Sequence, residues 1–165
     1  MPNQFQLLKL LQPMDVLIYN TPFSFKDPST IFDVAIRLKT WSYDATHTET
    51  YIGNGFSAAS RNGLGVNTYP LRVNDLSHIL RPAVKFDFDA ALKWHKSCIG
   101  QKYDWKGLLV FTLAVRDGSN NKMYCSEHTH RMAKKGKYFP FGIHADADRT
   151  APMQFEWTPV YDWLM

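Results

Sequence analysis

Residues Ala45 to Ser60 read ATHTETYIGNGFSAAS. Side chains alternate with a period of two on both sides of Gly53, Asn54 and Gly55, and an Asn-Gly pair between two such runs is a strong hairpin signal. The spacing predicts two antiparallel strands. On the first of them His47, Glu49 and Tyr51 fall on one face. A polar triplet on a face that should be buried wants a chemical reason. The alternative is a strand at a sheet edge that turns all three residues to water.

Working outward, GVNTYPLR supplies a third adjacent strand, and the segment from Val84 to Phe88 is expected to supply another, with prolines bounding strands rather than interrupting them. Upstream, DVLIY (Asp15 to Tyr19) is a short apolar run bounded by Pro13 and by Asn20, Thr21 and Pro22, the pattern of a buried strand. Between these, DPSTIFDVAIRLKT places Ile31, Val34, Ala35 and Leu38 at helical spacing. The second half turns helical. DFDAALKWHKSCIG offers Asp87 or Asp89 as N-cap, an apolar face at Phe88, Ala91, Leu92 and Ile99, and Gly100 as its stop. DWKGLLVFTLAV is a second, strongly apolar helix, Ser119 to Lys122 a loop, and a third helix runs from Cys125 to Lys135, closed by Gly136. The tail, with Pro140, Pro152 and Pro159 among many aromatics, reads as irregular structure wrapping the body.

The 165 residues suit one domain with a single core, 1–165. At 45% hydrophobic and 21% charged residues the composition is that of a folded globular chain. The net charge of +4 is mild, and only Lys134, Lys135 and Lys137 cluster, so nucleic acid is not the expected partner. Cys98 and Cys125 form neither a CxxC pair nor a disulfide framework, a usage that fits a reducing compartment or a virion. The N-terminal stretch lacks a basic leader, a continuous apolar core and a small-residue cleavage site, so no signal peptide is expected. No segment approaches the roughly 18 consecutive apolar residues of a membrane span. A cytoplasmic or virion-associated protein is the expectation.

A helix that begins at Cys125, within NNKMYCSEHTHR, aims its unpaired N–H groups and its positive dipole end at the thiol, and both favour the thiolate. The same N–H groups suit an oxyanion formed when sulfur attacks a carbonyl. A cysteine nucleophile also needs a base, and of six histidines His47 is the most promising because of its strand and its neighbours. Cys98, beside Ile99 on a helix face, reads as core. A metal site built from Cys125, His128 and His130, with His144, Asp146 or Asp148, is disfavoured, because His128 and His130 lie about 200 degrees apart on a helix. No cofactor is expected. His128 and His130 then read as helix surface residues, with His128 one turn from Cys125 at the cleft, and Glu127 as a helix N-terminal acid.

Three motifs sharpen this reading. HTETYIGNG resembles the histidine-bearing strand of NlpC-type cysteine hydrolases, GQKYDWKG (Gly100 to Gly107) is similar to the segment that precedes their nucleophile, and YCSE is similar to their Cys-Ser element at a helix start. His47 precedes Cys125, the order of the circularly permuted, papain-like branch that includes the lecithin retinol acyltransferase-like proteins; QPMDVLIY also resembles that branch's opening strand. The resemblance covers roughly residues 13 to 131. It implies an α+β, papain-like fold, circularly permuted, with a small antiparallel sheet or half-barrel packed against helices. It implies Cys125 as nucleophile and His47 as general base, with Tyr103, Tyr124 and Ser126 as substrate or oxyanion contacts.

One departure matters. The branch commonly draws its histidine-orienting residue from the following strand, where this chain has Ala58 and Ala59 within SAAS. Glu49 can reach the imidazole instead, with Ser57 and Ser60 as weaker substitutes. The expected activity is thiol-dependent hydrolysis of an amide, with peptidoglycan peptides as the family's substrate class. Alternatives are an acyl or lipid ester or thioester hydrolase or acyltransferase, or a non-catalytic module that binds peptide or lipid.

Overall fold

The computed structural model describes residues 4–20, 45–104, 106–107 and 121–164. In chain order its elements are α1 (Gln4–Leu10), β1 (Val16–Tyr19), β2 (His47–Gly53), β3 (Phe56–Arg61), β4 (Gly65–Pro70), β5 (Leu76–Pro82), α2 (Phe88–Cys98), β6 (Lys102–Tyr103), β7 (Lys122–Met123), α3 (Cys125–Lys135) and β8 (Tyr161–Trp163), with two short 3-10 turns before β8. The helix expected over 27–40 lies outside the described residues, as does most of the one expected over 104–115.

All four residues of β1 are buried. Its backbone groups therefore need partners on both edges, and they find them antiparallel in β2 on one side and β5 on the other. From this centre the sheet grows to six strands in the order β4-β3-β2-β1-β5-β8, every pair antiparallel. The chain is thus α+β. The β2–β3 hairpin closes as expected: Asn54 and Gly55 both have positive φ, 53° and 77°, as a type I′ turn requires. The fourth strand expected at 84–88 is instead β5, six residues or more upstream. Ala83, Val84 and Lys85 are exposed, and only the Leu76–Pro82 segment supplies β1 with its second edge.

Each face of the sheet carries its own apolar cluster. Val16, Ile18 and Leu80 pack with Ala133, Met153, Phe155 and Tyr161 on the side of α3 and the tail. Leu17, Tyr19, Tyr51 and Ile79 pack with Leu7 and Leu11 of the α1 segment on the other. The tail does wrap the body, and its last part is regular: β8 pairs with β5, and Ala83 N donates to Val160 O at 2.9 Å. Among the described residues no helix is long and apolar enough to cross a membrane.

Asp87, rather than Asp89, caps α2, its Oδ1 accepting from Ala90 N at 3.0 Å. Cys98 is buried with Val66 and Met123, as core. Ile99 is not on the buried face; it is the C-cap and 45% exposed. Helix α3 keeps its expected bounds and lies over β2 and β3, with Thr129 Oγ1 and Thr48 Oγ1 bonded at 3.2 Å.

Helix α3 ends as read, with Gly136 as its C-cap. Tyr138 N donates to Ala133 O and Lys137 N to Lys134 O, a Schellman pair in which the left-handed residue is Lys137, φ 59°. Gly136 has φ −75°, and its lack of a side chain serves contact instead: a Cβ there would lie 3.2 Å from Asp87 O and 3.3 Å from Ala91 Cβ. Lys137→Gly is therefore expected to raise stability by about 1 kcal/mol, because a side chain in the left-handed region is strained. The surface contact given up, Lys137 to Asp87 at 3.7 Å, contributes little. Urea melts of both proteins check this; an unchanged or lower midpoint would refute it.

Candidate active site

Cys125 occupies the first helical position of α3, after the extended N-cap Tyr124 (φ −91°, ψ 174°), and the first helical bond runs from His128 N to Tyr124 O at 3.0 Å. The N–H groups of the first turn have no helical acceptors. That of Ser126 donates to the Cys125 sulfur, as does the N–H of Thr48 from the neighbouring strand β2. His47, at the head of β2, hydrogen-bonds the same sulfur. The two elements that carry these residues are held in register by the Thr48–Thr129 bond, one turn beyond Cys125.

Electrostatics follow from this packing. Burial opposes charge on the Cys125 thiol, but the imidazolium charge, its hydrogen bond and the two backbone N–H groups together bring the thiol below its ordinary value. Burial likewise opposes charge on His47; the Cys125 thiolate and then Glu49 outweigh it and raise the ring to about 9. Each partner therefore favours the charged form of the other, thiolate beside imidazolium. Cys125 is only 1% exposed, while the His47 side chain keeps 13% of its surface in solvent.

The histidine is oriented from its own strand. His47 Nε2 meets Glu49 Oε1 at 3.1 Å, which leaves Nδ1 for the sulfur. Glu49 has no exposed surface. Burial raises its proton affinity, but His47 and Arg61 prevail and hold the carboxyl well below the usual carboxylate range. Arg61, at the end of β3, donates through Nε to Oε1 at 2.8 Å and through a terminal nitrogen to Oε2 at 3.0 Å. Arg72, just past β4, reaches Oε1 at 3.1 Å, and Ser57 Oγ donates to Oε2. Each guanidinium also lies on an aromatic face, Arg61 4.1 Å from the Tyr69 ring centre and Arg72 4.6 Å from that of Tyr19.

The residues singled out in the sequence thus part company. Glu49 reaches His47. Ser57 reaches Glu49 rather than the ring, and Ser60 donates to Met123 O at 2.5 Å, bracing the strand that leads to Cys125. Ala58 faces α3, packed with Met14 and Met132, and Ala59 lies between Ser57 and Arg61 on the face that holds the carboxylate; small side chains leave room on both sides. Tyr51 props the hairpin, its hydroxyl accepting from Gly55 N at 3.2 Å. Arg61 and Arg72 were not foreseen. Arg61 was within reach of the sequence, since it lies four residues beyond Ser57 on the same strand face; Arg72 had no local signal.

Tyr124 and Ser126 turn their side chains to the tail. Ser126 Oγ donates to Thr150 O at 2.5 Å, His130 Nδ1 meets Thr150 Oγ1 at 2.7 Å, and the buried Tyr124 hydroxyl lies near the Thr150 backbone. What Ser126 offers the thiolate is its backbone. Tyr103 is half-buried in β6, alongside Met123 of β7. His128 and His130 are not on the surface: both are fully buried, because β2 and β3, α2 and the tail all close around this helix. His128 Nε2 meets His95 Nδ1 at 3.1 Å, and His95 Nε2 meets Thr68 Oγ1 at 3.0 Å. Burial keeps both rings neutral, lowering His95 to about 4 and His128 to about 3. Glu127, also buried, accepts from the N-cap N–H of Tyr124 and pairs with Arg131 at 2.8 Å; burial, working against these, raises it to about 7. His144 is exposed, and among the described residues no three His, Cys, Asp or Glu side chains are grouped to hold a metal ion.

No protein-family model matches the chain, and no curated protein matches it at a significant level.

Iodoacetamide at neutral pH is expected to modify Cys125 and spare Cys98, whose thiol burial pushes up. Burial of both sulfurs makes access slow, so the selectivity reports the thiolate. Peptide mass mapping after brief labelling reads it, and equal modification of the two, or of Cys98 alone, would remove the thiolate from Cys125.

Proposed function

We propose that the chain is a thiol hydrolase of the circularly permuted, NlpC-type papain-like kind, cleaving an amide bond in a peptide, with peptidoglycan peptides as the substrate class. The observation that carries this reading is a single imidazole held between a helix-start cysteine and a buried carboxylate. Chain order supports it too, with the histidine strand ahead of the cysteine helix.

In the reaction so read, the Cys125 thiolate attacks the amide carbonyl and a C–S bond forms. The oxyanion faces the free N–H groups at the start of α3. The His47 imidazolium gives its proton to the departing amine as the C–N bond breaks. A water then attacks the thioester while the now neutral ring takes its proton; the C–S bond breaks, the carboxylic acid departs, and thiolate and imidazolium are restored. Glu49 holds Nε2 and fixes which nitrogen faces the sulfur. Its hydrogen bond to the ring and its charge both favour the protonated imidazole. Esters, thioesters and acyl transfer would use the same acyl-enzyme and differ in what leaves and what attacks. The competing reading, a binding module without turnover, draws on the 1% exposure of Cys125.

Two variants separate the roles. His47→Ala is expected to move the onset of Cys125 alkylation up to or beyond the ordinary thiol range, near 8.5, because burial then acts without the imidazolium. An unchanged pH profile would take His47 out of the mechanism. Glu49→Gln should keep a thiolate, since the arginines remain, yet lower the His47 titration from about 9 by at least about one unit, because an adjacent negative charge is gone. It should also cost about 3 kcal/mol of stability by leaving guanidiniums without their buried partner. The imidazole proton shift against pH, with a urea melt, reads both effects, and a His47 titration unmoved by Glu49→Gln would refute the pairing.

A further inference from the structure

A groove of about 370 Å3 opens at the end of the sheet where His47 and Arg61 sit. One wall is the turn that follows Arg61, with Gly63, Leu64 and Gly65; the other is the stretch from Gly100 to Tyr103 with Lys122. Three features mark it as a place for a ligand. Its lining is rich in glycine: Gly63, Gly65 and Gly100 all have positive φ, and a Cβ on Gly63 or Gly100 would meet nothing within 4 Å. At those two positions the backbone is open to close approach. Leu64, 69% exposed, stands at the rim.

The third feature is charge. Lys102 and Lys122 are register partners on the parallel pair β6–β7, so their chains are adjacent, about 5 Å apart. Like charges directly opposite one another are destabilising. Neither ammonium meets a carboxylate among the described residues. Lys122 is also tied to the nucleophile by a braced backbone, since Met123 O is held by Ser60 and Tyr124 caps the helix that starts at Cys125.

We propose that this groove is a subsite for the carboxylate of a peptide substrate, with Lys102 and Lys122 as its shared counter-charge and Leu64 and Tyr103 as its apolar sides. The proposal rests on the peptide-hydrolase reading and names which peptides it favours: those with a free carboxylate a few residues from the scissile bond.

Binding can be read apart from turnover. The full chain carrying Cys125→Ala, labelled with 15N, is titrated with acetyl-trialanine bearing a free C-terminal carboxylate and with the same peptide as its C-terminal amide. The acid is expected to shift the amides of Gly63 to Gly65 and Gln101 to Tyr103 and to bind roughly fivefold more tightly than the amide, a preference that fades with added salt. The double variant Lys102→Gln/Lys122→Gln should bind both alike, while Lys102→Arg/Lys122→Arg keeps the preference. Equal binding by the unaltered groove, a preference that survives the glutamine pair, shifts confined to other residues, or no shifts with the acid would each overturn the subsite. None of these outcomes touches the thiolate at Cys125, which the alkylation profile tests separately.

Discussion

Burying the carboxylate of Glu49 without solvent contact costs several kcal/mol unless the charge is neutralised where it lies. The neighbourhood is arranged around that requirement: one imidazole, two guanidiniums and a hydroxyl converge on two oxygens. Because the donors come from β2, from both ends of β3 and from just past β4, meeting the requirement also fixes how these strands end relative to one another. The contact that satisfies the buried carboxylate is also the one that orients His47 toward the Cys125 sulfur.

The nucleophile helix is fixed from the opposite side. Thr150 accepts from Ser126 through its carbonyl and meets His130 through its hydroxyl, so a single tail residue holds a full turn of α3. With Thr129 bonded to Thr48 on the sheet side, the helix has little freedom to slide, and the sulfur stays where the imidazole is.

Where the determinant is local, the sequence was a good guide. Asn54-Gly55 dictates a turn with two left-handed residues, and the two-residue step from His47 to Glu49 puts both on one face; hairpin and pair alike stand as read. The bounds of α3 were legible from its patterning. Its surroundings were not: a helix with polar residues on every side reads as half-exposed, but sheet, α2 and tail enclose the first two turns, so His128 and His130 became buried polar groups with partners at His95 and Thr150. Arg72 was invisible for the same reason, because its contact with Glu49 depends on where β4 releases the chain. The strand expected at 84–88 failed because Leu76–Pro82 already completes β1, which leaves Ala83 to Lys85 exposed. Gly136 does close α3, and its missing side chain also admits the close approach of α2, which residue type alone does not reveal.

The pairing of β8 with β5 and the grip of Thr150 on α3 also bear on the order in which the chain can become competent during synthesis. The tail contacts that hold α3 lie downstream of Cys125, so a ribosome that has already released His47 and Cys125 has not yet released this part of what keeps them in line. Contacts this distant in sequence close late. A nascent or C-terminally clipped chain would carry both side chains without the clamp that finished molecules have.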